Sequence, residues 1–203
     1  MENTKQTPVK GKTNVYTVVG LGLLTAIVAV LQVFASQIKF GPFSITLCLA
    51  PIVVGAALYG WKAGAWLGLV FGAVVLLTGD AALFMAINIP GTVITVLLKG
   101  AISGAVGGAV YRLIEKKNIT AAAVVSGVVT PLVNTAVFLL GCVVFFLDAC
   151  GEWGAGLGYD NVFGYLLFGM VGWNFLVELG VNLILSTAIV RIVQVGRKKL
   201  VAH

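Results

Sequence analysis

Charged residues are scarce in this chain, and their scarcity fixes its class. Asp, Glu, Lys and Arg make up 10% of the 203 residues against 60% hydrophobic ones, and the mean hydropathy is +1.07. A soluble domain of this size cannot hide so much apolar surface, whereas a bilayer accepts it. Histidine is almost missing as well, since His203 stands alone. The three cysteines, Cys48, Cys142 and Cys150, lack C-x-x-C spacing, so a zinc or haem site has no ligand set and no cofactor or metal is expected. Cys48 and Cys150 fall near the same side of the expected spans. A disulfide between them therefore stays open beside the commoner alternative of buried free thiols.

Catalytic signatures are absent too. No G-x-x-x-x-G-K-[ST] segment offers the usual cradle for ATP, no G-x-S-x-G elbow presents a nucleophile, and a terminal histidine cannot act as a buried base. An intramembrane aspartyl protease needs two carboxylates sharing a proton, and Asp80 in "TGDAAL" sits by itself in an expected outer loop. An enzyme is not expected. A nucleic-acid partner would require a basic soluble domain, which the chain does not have.

What is present is a series of uncharged runs near the roughly 20 residues needed to cross a bilayer. Six spans are expected, at 16–36, 46–61, 63–79, 92–113, 121–147 and 163–190, giving an all-α integral membrane protein with six transmembrane helices in a compact bundle. They form one membrane domain, 15–195, between a basic N-terminal segment, 1–14, and a basic tail, 196–203. The second and third spans are short for about 30 Å of hydrocarbon, so they are expected to tilt, break or lie partly inside protein. Lysine and arginine set the orientation. Lys5, Lys10 and Lys12 precede the first span, Lys62 separates the second and third, and Arg112, Lys116 and Lys117 end the fourth. Arg191, Arg197, Lys198 and Lys199 end the sixth, while Asp80, Asp148, Glu152 and Asp160 gather on the other side. Both termini are therefore expected to be cytoplasmic. The net charge of +6 then faces anionic lipid headgroups.

A few polar residues interrupt the apolar runs. Lys99 in "TVLLKGAISG" lies about two turns into the fourth span, Asn134 in "TPLVNTAVF" near the middle of the fifth, and Glu178 near the middle of the sixth. Ionisable groups at such depths are costly unless they are paired or face water, which marks them as functional candidates. The bland alternatives are that Lys99 snorkels to the outer headgroups and that Glu178 is interhelical glue. In "NFLVELGVNLIL", Asn174, Glu178 and Asn182 recur every fourth position and share one helix face. Asn174 is high enough to line an outward pocket, and Glu178 and Asn182 are expected lower, in a possible pocket or interhelical role. Trp153, Tyr159, Tyr165 and Trp173 suggest an interfacial aromatic belt, or a loop that caps a ligand. The segment from Asp80 to Asn88 is the other candidate lid. Small residues form stripes at Gly22, Ala26 and Ala29, at Gly64, Gly68 and Gly72, and at Gly100, Gly104, Gly107 and Gly108, where helices can approach closely.

The segments "GPFSITLCLAPIVVGAALYGWKAGAWLGLVFG", "NTAVFLLGCVVFF" and "NFLVELGVNLILSTAIV" together resemble the substrate-binding S components of energy-coupling factor (ECF) vitamin transporters, most closely the pantothenate-type branch. The likeness runs in order over nearly the whole chain outside the basic N-terminal segment. It implies a multi-pass protein of a prokaryotic plasma membrane that binds a water-soluble vitamin or related micronutrient from outside. It also implies docking onto an ECF transmembrane scaffold subunit and two ATPase subunits, which suits the missing ATP cradle. Lys99 and Asn134 stand where that pattern carries a basic residue on helix four and an Asn on helix five. By this likeness they bind substrate, with Asn174 beside them. Gly22, Ala26 and Ala29 stand where S components dock through small residues of their first helix. The chain has Leu98-Lys99 where the pattern often has Pro-Arg, and Leu49 where it often has His. Two rivals remain on the residues alone: a self-contained proton-coupled transporter or channel using Glu178, and a structural membrane protein without a ligand.

Overall fold

The computed structural model describes residues 15–37, 39–40, 43–44, 46 and 48–201, without the side chains of 39, 40, 43, 44, 173, 174, 186, 187, 190 and 196–201. The segment 1–14 and the side chain of Asn174 thus lie outside the described residues. The first helix is α1 (Val15–Ala35), followed by the short strands β1 (Lys39–Phe40) and β2 (Phe43–Ser44), which pair antiparallel with Phe40 opposite Phe43. Helices α2 (Leu49–Tyr59), α3 (Trp61–Leu77), α4 (Ala82–Met85), α5 (Ile89–Glu115) and α6 (Ile119–Phe145) come next. After α7 (Leu147–Gly156) and α8 (Val162–Gly164), a π-helix (Tyr165–Gly172) runs into α9 (Trp173–Val201).

Among the described residues, four stretches are long and apolar enough to cross a membrane: α1, α5, α6 and Val162–Leu185. Helices α2 and α3 occupy the places of the expected second and third spans, but with 11 and 17 residues they are shorter. At about 1.5 Å per residue they reach roughly 16 and 26 Å, less than the hydrocarbon thickness. Packing explains how α2 is tolerated. Leu49, Ala50, Ile52, Val53, Val54, Gly55, Ala56 and Ala57 are all buried, and α1, α3, α5, α6 and α9 surround the helix. A backbone sheathed in protein does not need to span lipid.

Glycine joins α3 to α5. A Cβ on Gly64 would run into the Gly104 carbonyl, one on Gly68 into the Gly100 carbonyl, and one on Gly72 would lie 2.8 Å from the Val96 carbonyl oxygen. The four-residue spacing on both helices makes a seam of backbone against backbone that any larger side chain would wedge apart. On another face of α5, Gly107 makes room for the Thr130 side chain of α6. Side-chain caps fix the helix starts, with Asn88 Oδ1 accepting from Gly91 N (2.9 Å) and Asn118 Oδ1 from Ala121 N (3.0 Å).

The two ends of the bundle differ in charge. Gly60, with φ +96°, turns α2 into α3, and the Arg112 guanidinium at the end of α5 lies against it. Lys62, Lys116 and Lys117 adjoin this end. At the opposite end Gln32 of α1 reaches Asp80, and Gly91 at the start of α5 lies against Phe145 at the end of α6. Helix α7, with Asp148 and Glu152, continues from α6 there.

Candidate binding site

At the acidic end a cavity is lined from α1, α3, α4, α5, α6, the π-helix and α9. Its volume is about 80 Å³. The result is a narrow slot. Its walls combine apolar side chains, from Phe71, Val75, Phe84, Val96, Phe138, Met170 and Phe175, with a comparable polar share.

Lys99, placed by the α3–α5 seam one residue before Gly100, carries the slot's ammonium. Its Nζ lies 5.2 Å from the centre of the Phe138 ring and 5.7 Å from that of Phe71. The two rings steady the cation through their negative faces. Among the described residues it has no hydrogen bond or ion pair, so its charge is directed into the slot. Asn134 of α6, 5% exposed, lines the same slot, and its Oδ1 accepts no hydrogen bond. A buried amide oxygen without a donor is costly and is suited to a donor on a ligand.

Glu178 of α9 lines the slot too, at 3% exposure. One carboxylate oxygen, Oε1, accepts from the backbone N–H of Thr46 at 3.1 Å, a contact across 132 positions. Asp80 completes the polar lining, with Oδ2 accepting from Gln32 Nε2 at 2.8 Å. The Cys48 thiol donates towards Gln32 Oε1 (3.5 Å) and the Val28 carbonyl (3.4 Å). All three cysteines are buried and free. Cys48 packs in the cluster of Leu49, Ile52 and Leu67, and Cys150 in that of Phe84 and Tyr165, so the open pairing of these two is not formed.

The structure thus brings Lys99, Asn134 and Glu178 to one slot. Asn182 is elsewhere: it is fully buried, does not line the slot, and donates through Nδ2 to the Glu178 carbonyl of its own helix at 2.8 Å. Gly22 and Ala26 face outward from α1 with Ala29 half-buried beside them, and a Cβ on Gly22 would touch nothing within 4 Å. Trp153, Tyr159 and Tyr165 pack in one cluster with Phe84 at the slot's end of the bundle. Phe84 meets Phe138, Phe146 and Trp153 edge-on at 5.6, 5.0 and 5.5 Å, and Tyr159 meets Tyr165 at 5.5 Å, so the rings interlock as a cap beside the slot. Sequence reasoning passed over Gln32, Thr46 and Phe84. The signal for Gln32 was available, because it is the single amide in α1.

Comparison with known proteins follows the same lines. A family model described as "ECF transporter, substrate-specific component" matches residues 17–192. The pantothenic acid transporter PanT of Lactococcus lactis subsp. cremoris (strain MG1363) is 28% identical over 187 residues, covering 84% of this chain and 89% of that protein. No solved structure matches significantly.

Proposed function

The chain belongs to the substrate-specific components of ECF transporters, and from that premise we propose that it captures pantothenate, or a closely related carboxylate micronutrient, outside the cell and releases it inward. It is a membrane-embedded transport subunit for vitamin uptake and not an enzyme. The observation that carries the substrate reading is the unpaired Lys99 ammonium near Phe71 and Phe138, in one slot with the unmet Asn134 Oδ1. A single ammonium suits a carboxylate as a point charge, and an amide suits hydroxyl or amide groups next to it. The resemblance to PanT supports the same choice.

In this reading six segments traverse a prokaryotic plasma membrane, α2 and α3 as the short pair, with both termini cytoplasmic and the slot facing outward. The concentration of Lys62, Arg112, Lys116 and Lys117 at the end away from the slot supports that orientation. A transmembrane scaffold and two ATPase subunits supply the energy. The outward stripe of Gly22, Ala26 and Ala29, on the helix with the least buried window of the four long ones, is the face offered to the scaffold.

Native mass spectrometry of the detergent-purified chain, followed by denaturation, tests the substrate. A retained mass equal to pantothenate is expected, and calorimetric titration of the ligand-free chain should give saturable one-to-one binding. Another vitamin in its place would keep the transport role and overturn the substrate. Uptake that persists in cells without the ATPase subunits would overturn the ECF mechanism in favour of a self-powered carrier.

A further inference from the structure

We propose that Glu178 recognises hydrogen-bond donors on the substrate, so that the site selects carboxylates that also carry at least two donors, such as a dihydroxy acid amide. The inference rests on the substrate reading above and deepens it. Glu178 is buried, lines the slot and spends one oxygen on the Thr46 N–H. The Thr46 hydroxyl bonds the carboxylate as well, so about half of the roughly four acceptor sites of a carboxylate have no donor among the described residues. Lys99 lines the same slot and forms no ion pair with it, so the two charges stand apart in one cavity. Gln32, on the same slot, donates through Nε2 to Asp80 and accepts at Oε1 from Cys48.

A carboxylate shut away from water with half its acceptor capacity unmet is an expensive arrangement. Once a ligand carboxylate engages Lys99, the ligand itself must bring the compensating donors. Asn134 Oδ1 is a second buried acceptor without a donor. The slot therefore asks for one anionic acceptor and two donors on the same molecule. Pantothenate has a terminal carboxylate, two hydroxyls and an amide N–H. An acid of the same skeleton without hydroxyls leaves Glu178 unmet, and sites built to bond a hydroxyl discriminate strongly against analogues that lack it.

The test is calorimetric titration of the full chain in detergent with pantothenate and with N-(3,3-dimethylbutanoyl)-β-alanine, the same skeleton without its hydroxyls. The wild type should bind the analogue at least about 30-fold more weakly. Glu178→Gln keeps an oxygen for the Thr46 N–H but loses the charged acceptor. It should weaken pantothenate by about tenfold or more while changing the analogue by less than about threefold, so that the preference collapses. Equal wild-type affinity for the two ligands overturns the inference without recourse to a variant. So does a Glu178→Gln chain that weakens both ligands alike, or neither, since Glu178 would then only secure the Thr46 segment. A wild type that binds no pantothenate overturns the substrate reading, and this inference falls with it.

Discussion

Replacing Lys99 with glutamine removes the slot's ammonium while keeping a polar side chain of nearly the same reach. The two rings that flank Nζ, at 5.2 and 5.7 Å, act on the free and the bound protein alike, so their attraction largely cancels from the binding difference. What is lost is the attraction between the ammonium and the ligand carboxylate. At 4 Å and an effective dielectric near 20 this is about 4 kcal/mol, and truncating one partner of a buried charge pair costs about 2 to 5 kcal/mol. At 1.4 kcal/mol per tenfold, Kd for pantothenate should rise by roughly 30-fold to several thousandfold. Calorimetric titration in detergent measures it directly. Pantothenol, which has a hydroxyl in place of the carboxylate, supplies the control: wild type and Lys99→Gln should bind it within about threefold of each other, since neither forms the ion pair. Pantothenate affinity unchanged within twofold, or equal losses for both ligands, would refute the pairing and leave family membership untouched.

Other substitutions separate packing from docking. Gly68→Val should lower the midpoint of thermal unfolding sharply, because its side chain would collide with the Gly100 carbonyl across the α3–α5 seam, at a cost of about 2 kcal/mol or more. Gly22→Leu with Ala26→Leu should leave both that midpoint and pantothenate affinity unchanged, since the positions face outward, yet reduce uptake severely in cells with the full transporter. Normal uptake by the double variant would remove the docking role from this stripe. Phe84→Ala should speed pantothenate release in stopped-flow exchange, because Phe84 both lines the slot and locks Phe138, Phe146 and Trp153 edge-on. Asn118→Ala, distant from the slot, should cost about 1 kcal/mol of stability through its lost helix cap and leave ligand affinity intact.

Local chemistry made some of this legible in the sequence. Apolar runs announced the helices, and glycines four apart announced faces for close helix packing, because each signal is carried by neighbours along one chain; that α3 meets α5 there came from the structure. Lys99 and Asn134 stood out because a polar group amid long apolar stretches is rare and expensive. The remainder depends on contacts that no short window contains. Glu178 belongs to the slot partly through a bond to Thr46, 132 positions away, and Asp80 through Gln32, 48 positions away. Helix α4 is four residues long, too short to show a period, yet it supplies Phe84. The π-helix of Tyr165–Gly172 shifts the phase of the side chains that follow, so a wheel drawn with α-helical spacing through this stretch misassigns its faces.

The glycine seam gives the slot one fixed jaw and one adjustable jaw. Phe71 and Lys99 ride on α3 and α5, whose backbones meet with no side chains between them, so neither helix can slide or roll without losing the contact along its length. Both residues therefore hold their spacing whatever the cargo does. The facing jaw, with Met170, Val171 and Glu178 on the π-helix and α9, is tied through Thr46 to the segment before α2, and among the described residues no run of glycine backbone contacts locks it. Cargo preference can change by substitutions on that jaw while the frame stays intact. A chain with the same seam and a different residue at 178 would keep the fold and grip another molecule.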